Sequence, residues 1–124
     1  MDLRRFLKDE GGQSIGRFSV SGTMMEYETY GKKPTNTELQ GRAISYAHIL
    51  NSVLDGRGSL GILRDRNARR IILFEDPKQI IGIVYVGGEE GILVEFSGAI
   101  PTLFVYKLLE EISMVAATEN LEKE

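Results

Sequence analysis

Apolar residues cluster most densely over 69–97, RRIILFEDPKQIIGIVYVGGEEGILVEFS, where they are cut twice by turn-forming residues. The first run, 69–75, carries Ile71, Ile72, Leu73 and Phe74 without a break and stops at Asp76-Pro77-Lys78, because proline has a fixed φ and no N–H to give to a ladder. The second, 79–86, is apolar at nearly every position and ends at Gly87-Gly88-Glu89-Glu90. The third, 91–97, alternates, with Ile92, Val94 and Phe96 on one side and Leu93, Glu95 and Ser97 on the other. Short runs rich in β-branched and aromatic residues between turn signals predict three strands of an antiparallel meander. This meander is expected to form the middle of a single sheet. Strands apolar on both faces need cover on both.

A hairpin is predicted over 14–30, turning at Ser21-Gly22. Phe18 and Val20 alternate with polar residues before the turn, and Met25, Tyr27 and Thr29 alternate with Met24, Glu26, Glu28 and Tyr30 after it. The polar side of this hairpin places it toward a sheet edge. A short helix is predicted over 2–10, with Asp2 as cap and Leu3, Phe6 and Leu7 on one face.

Helical periodicity is strongest over 37–54. Thr35 with Glu38, or Thr37 with Gln40, fits a capping box at its start. Leu39, Ala43, Ala47, Leu50 and Leu54 form one apolar stripe, and Tyr46, Ile49 and Val53 lie beside it. That surface is wider than one sheet contact needs. Leu39, Ala43, Leu50 and Leu54 are assigned to the chain's own sheet, and Tyr46, Ile49 and Val53 to a second copy. The small residues Gly41, Ala43, Ser45, Ala47 and Ser52 would let another backbone come close. Residues 55–68 are broken by glycines; Leu60, Ile62 and Leu63 fit a helical turn or a short strand, and the segment is assigned to a glycine-broken extension of this helix. A last amphipathic helix is predicted over 102–118, followed by a frayed tail at 119–124.

The expectation is one α+β domain over 1–124 in the order α-β-β-α-β-β-β-α. Its five-stranded antiparallel sheet has the central helix on one face and the terminal helices on the other. With 42% hydrophobic and 27% charged residues the chain can build a core. A net charge of −3 gives no general pull toward nucleic acid or an anionic membrane. The absence of cysteine removes disulfides, thiolate zinc sites and cysteine nucleophiles. No apolar run approaches a bilayer span, the opening MDLRRFLKDEGG is too charged for a signal peptide, and a cytoplasmic protein is expected.

Candidate chemistry is sparse. His48 has no acidic or histidine partner one helical turn away, so no metal site is expected. No G-x-S-x-G accompanies the serines, and the glycines at 56, 58 and 61 match neither phosphate-loop pattern. The five tyrosines are spread without the basic interleaving of a stacking platform. Arg64, Arg66, Arg69 and Arg70 are a candidate contact for an anion or an acidic partner surface, against the plainer reading of solvated charge. No catalytic residue and no cofactor is assigned.

This element order over nearly the whole chain resembles the profilin-like roadblock / dynein light-chain superfamily. RRIILFEDPKQIIGIVYVGGEEGILVEFSGAIPTLFVYKLLEEI is similar to the family's three strands running into a final helix. MDLRRFLKDEGGQSIGRFSVSGTMMEYE is similar to small stand-alone prokaryotic members. The family's first hairpin usually has a tight DG turn where this chain has Ser21-Gly22, and the glycine-rich 55–68 segment is unusual for it. The resemblance implies a non-enzymatic homodimer, formed through the central helix and an edge strand, that acts as an adaptor or regulator for a small GTPase or another signalling or motor assembly. A small-molecule sensor is the alternative, since a sheet under helical cover can hold a ligand.

Overall fold

The computed structural model describes residues 1–7, 12–55, 70–75, 77–85, 87–97 and 100–123. A 3-10 turn, Leu3–Phe6, leads into strands β1 (Ser14–Ser19) and β2 (Met24–Thr29), helix α1 (Asn36–Asp55), strands β3 (Arg70–Glu75), β4 (Ile80–Tyr85) and β5 (Glu90–Phe96), and helix α2 (Thr102–Lys123). The five strands form one antiparallel sheet in the order β2-β1-β5-β4-β3. The meander is therefore not the middle of the sheet. β5 is central, and β3 lies on one edge because β1 pairs on the far side of β5. The first hairpin does reach the other edge, through β2.

Alternation along each strand splits the core in two. Ile15, Ile80, Val84, Ile92, Val94 and Phe96 face α2 and the 3-10 turn, where they meet Leu3, Phe6, Val105, Leu108, Leu109 and Ile112. Phe18, Ile83, Tyr85 and Leu93 point the other way, against Ala43, Tyr46, Ala47, Leu50 and Leu54 of α1. The expected cover, central helix on one face and terminal elements on the other, is what the chain builds. Gly82 of β4 is where α2 comes nearest: a Cβ there would lie 2.5 Å from Leu109 Cδ1.

Three local outcomes differ from expectation, each for a physical reason. Leu3–Phe6 forms a 3-10 turn, not an α-helix, and residues 8–10 of the predicted segment lie outside the described residues. Asp2 caps it, accepting from the Arg4 N–H at 3.1 Å, and Leu7 is already extended. In a 3-10 turn residues three apart lie directly above one another, which buries Leu3 and Phe6 together. In β2 the register slips: Arg17 faces Glu26 but Phe18 faces Met24. The extra residue, Met25, is pushed out to solvent, while Met24 and Tyr27 both pack toward α1. The strict alternation expected of this strand is broken there. Finally, α2 runs past Thr118 to Lys123, in place of the expected tail. Within that extension Glu119 holds the Met1 ammonium at 2.9 Å. Among the described residues no helix is long and apolar enough to cross a membrane. The helical extension assigned to 55–68 falls outside the described residues beyond Asp55.

Candidate functional site: the outer flank of α1 and a carboxylate cluster beneath it

Helix α1 starts where Thr35 Oγ1 accepts from the Glu38 N–H at 3.2 Å, which makes Thr35, of the two candidates, its N-cap. The helix turns Ala43, Tyr46, Ala47, Leu50 and Leu54 into the sheet. Tyr46, assigned to a partner copy by periodicity, belongs instead to the chain's own core. It is 6% exposed, and its ring packs 5.9 Å from that of Phe18. Ile49 and Val53 are half-buried, and Ile49 leans on the same core. Beyond its first turn, α1 exposes Gln40, Gly41, Ser45, His48 and Ser52, together with Ile44 at 55% exposure. The hydroxyls of Ser45 and Ser52 bond back to the carbonyls of Gly41 and His48. The flank thus mixes small residues, whose hydroxyls are already bonded within the helix, with the exposed Gln40 and His48. Among the described residues no group of histidine or acidic side chains is placed to hold a metal ion. Arg64, Arg66 and Arg69 fall outside the described residues. Arg70 opens β3 at the sheet edge.

Beneath α1 lies a cluster that sequence reading did not assemble. Glu95, on the central strand β5, points toward α1 and is only 15% exposed. Its Oε1 accepts from the Tyr27 hydroxyl at 2.9 Å and from Arg42 Nη1 at 3.1 Å, and its Oε2 accepts from the Tyr46 hydroxyl. Arg42 Nη1 also donates to the Tyr27 hydroxyl at 2.9 Å. Tyr27 comes from β2, two strands away from β5. Gly16 of β1, which lies between them, makes this reach possible. A Cβ on Gly16 would sit 2.9 Å from the Glu26 carbonyl oxygen and 3.2 Å from Tyr27 Cδ2, so the missing side chain opens a lane for the ring. The local signal was Glu95 sharing a strand face with Leu93, which is an inward carboxylate in need of partners.

Burial is the main cause that pushes both tyrosine hydroxyls above their ordinary pKa, and the charge and hydrogen bond of Glu95 push the same way. Arg42 opposes this at both, and Ser14 also opposes it at Tyr27. For Tyr46 the shift is large. A raised folded-state pKa contributes stability that is fully present below the unfolded value of about 10 and is lost as pH rises beyond it. Urea midpoints are expected to hold between pH 7 and 9 and to fall above about pH 10. Tyr46→Phe should flatten that alkaline fall, and an unchanged slope would show that Tyr46 does not carry it.

Toward the Gly31-Lys32 loop the cluster opens into a cavity of about 190 Å³ bordered by Ser14, Thr29, Lys32, Gln79 and Ser97.

No protein-family model and no curated protein matches the sequence. Solved structures do match its shape. MglB in a tetrameric arrangement superposes with a TM-score of 0.73 at 14% identity, over 94% of this chain and 82% of that one. A roadblock/LC7 domain from Streptomyces avermitilis matches with a TM-score of 0.69 at 9% identity, over 95% and 93% of the two chains. The fold is that of a roadblock/LC7 domain. The gliding protein MglB of Thermus thermophilus has the same roadblock architecture, with a TM-score of 0.69 at 14% identity, over 98% of this chain and 87% of that one. In each pair the shared roadblock shape runs over most of both chains.

Proposed function

We propose that this protein is a non-enzymatic adaptor or regulator that works as a homodimer, with the outer flank of α1 at the interface between copies. One observation carries the reading: on a roadblock fold, the helix covering one sheet face also turns the small residues Gly41, Ser45 and Ser52 to solvent beside the exposed Ile44, with Gln40 and His48 among them. Small residues let two helices approach closely, and a self-complementary contact about a two-fold axis is the commonest way for a small chain to pair. The half-buried Ile49 and Val53 border this flank and complete the contact. Tyr46 is left out of it by its burial. The tetrameric arrangement of one MglB structure supports association as a property of this fold. The dimer's partner is a protein, of the small-GTPase, signalling or motor class that the family resemblance implies, and Arg70 at the sheet edge contributes to that contact.

Ile44→Asp is the incisive variant. Ile44 is exposed in the single chain, so the change leaves the subunit's own core intact, yet it would bury an unpaired charge in the dimer. Light scattering should give twice the chain mass for the wild type and the single-chain mass for the variant, with matching circular dichroism. A wild type that stays at single-chain mass at high micromolar concentration would overturn the dimer. Ile49→Asp is a poorer probe, because Ile49 also packs on the chain's own core.

A further inference from the structure

We propose that the cavity beside Glu95 is a binding site for a small oxyanion of the phosphate type. The inference stands on the cavity and its charges and does not depend on the adaptor reading.

The site is assembled from several elements. Ser14 opens β1, Thr29 closes β2, Gln79 precedes β4, Ser97 follows β5, and Lys32 lies in the loop after β2. Arg42 reaches the same space from α1. Two cations therefore face one carboxylate. The two oxygens of Glu95 already accept three hydrogen bonds from Tyr27, Arg42 and Tyr46, which leaves that charge largely satisfied from within. Arg42 bonds Tyr27 and Glu95 through Nη1, and among the described residues Nη2 and Nε keep N–H groups for a further acceptor. Lys32 is exposed and has no ion pair among the described residues. Among the described residues that line the cavity the charge is positive, although the chain as a whole is at −3.

The hydroxyl side of the cavity is held in place. Ser14 Oγ and Thr29 Oγ1 lie 2.8 Å apart, and Thr29 Oγ1 accepts the Gly31 N–H at 2.9 Å, which fixes the loop carrying Lys32. A guanidinium edge and an ammonium around one space are charge-assisted donors that a tetrahedral oxyanion takes up, while the Ser14 and Thr29 hydroxyls, bonded to each other and Ser14 also to Tyr27, shape the wall beside them. The cavity's 190 Å³ is below the roughly 300 Å³ at which drug-sized ligands begin to fit, but is enough for one phosphoryl group with water. An apolar ligand would meet polar walls, and a cation would meet Lys32 and Arg42.

The phosphoryl group could arrive as the free ion or as an ester, and the two probes are inorganic phosphate and methyl phosphate. Each is titrated into 15N-labelled protein at constant ionic strength, with chloride as the control, because screening alone alters exposed charges. Saturable amide shifts are expected at Ser14, Thr29, Gly31, Lys32 and Ser97. Lys32→Met should weaken binding by about fivefold or more, since it removes one of two charge-assisted contacts, while Lys33→Met should leave it unchanged. Tighter binding of inorganic phosphate assigns the free ion, and tighter binding of methyl phosphate assigns an ester. The proposal fails if neither probe saturates, if Lys32→Met binds as the wild type does, or if the shifts follow Lys78 and Lys107 instead. None of these outcomes changes the chain mass that tests the dimer.

Discussion

Glu95→Ala should cost about 3 kcal/mol of folding stability, a large share of what a domain of this size has to lose. The carboxylate is nearly buried and accepts from two tyrosine hydroxyls and a guanidinium. Removing it strands the Tyr46 hydroxyl in the core, where an unsatisfied donor costs about 1–3 kcal/mol. It also leaves Arg42 without its counter-charge, but Arg42 is partly exposed, so water recovers most of that loss. Glu95→Gln keeps an acceptor in place and should cost markedly less. Arg42→Ala should cost under about 1 kcal/mol for the same reason of exposure. Denaturant midpoints on the three variants check the ranking. If Glu95→Ala stayed within about 0.5 kcal/mol of wild type, in the range of an ordinary surface change, the cluster would have no structural weight.

The second large effect sits on the opposite face. Leu109 is fully buried and lies over Gly82, so Leu109→Ala should cost about 2–5 kcal/mol through lost burial and the void left behind. Gly82→Ala should cost about 1–3 kcal/mol for the opposite reason. Its new methyl would lie 2.5 and 2.7 Å from the two Leu109 methyls, which have little room to move. Combined, the two changes remove each other's fault, because the alanine methyl at 82 enters space that the shortened residue 109 vacates. The double variant should therefore be more stable than the sum of the singles predicts, by about 1 kcal/mol or more. Strict additivity in urea unfolding would mean that α2 shifts to absorb each change separately.

These cases mark what was legible in the chain. β3, β4 and β5 fall within a residue or so of the runs predicted at 69–75, 79–86 and 91–97, because turn chemistry and β-branched density are local signals. The stripe of Ala43, Ala47, Leu50 and Leu54 was equally plain. Strand order was not legible, since nothing near β1 in sequence says that it pairs with β5. Glu95 was hidden for the same reason. Its partners Tyr27, Arg42 and Tyr46 lie 68, 53 and 49 positions away, and only the sheet brings them together. Periodicity turns Tyr46 outward because it gives the width of an apolar arc without saying which part of that arc meets Phe18. Met25 breaks the alternation of its strand because a bulge leaves the composition unchanged and alters only the register.

That bulge has a consequence for how copies of this chain can meet. Among the described residues the sheet has two open edges, and they are unlike. On β2 the extra residue bends the strand and turns its backbone groups out of line, so that edge is a poor template for another strand. β3 pairs with β4 in unbroken register from Arg70 to Glu75, so no bulge interrupts it. A strand added to this sheet would thus find β3 the better template. Two sheets joined there would each present outward a β2 edge interrupted by the bulge at Met25.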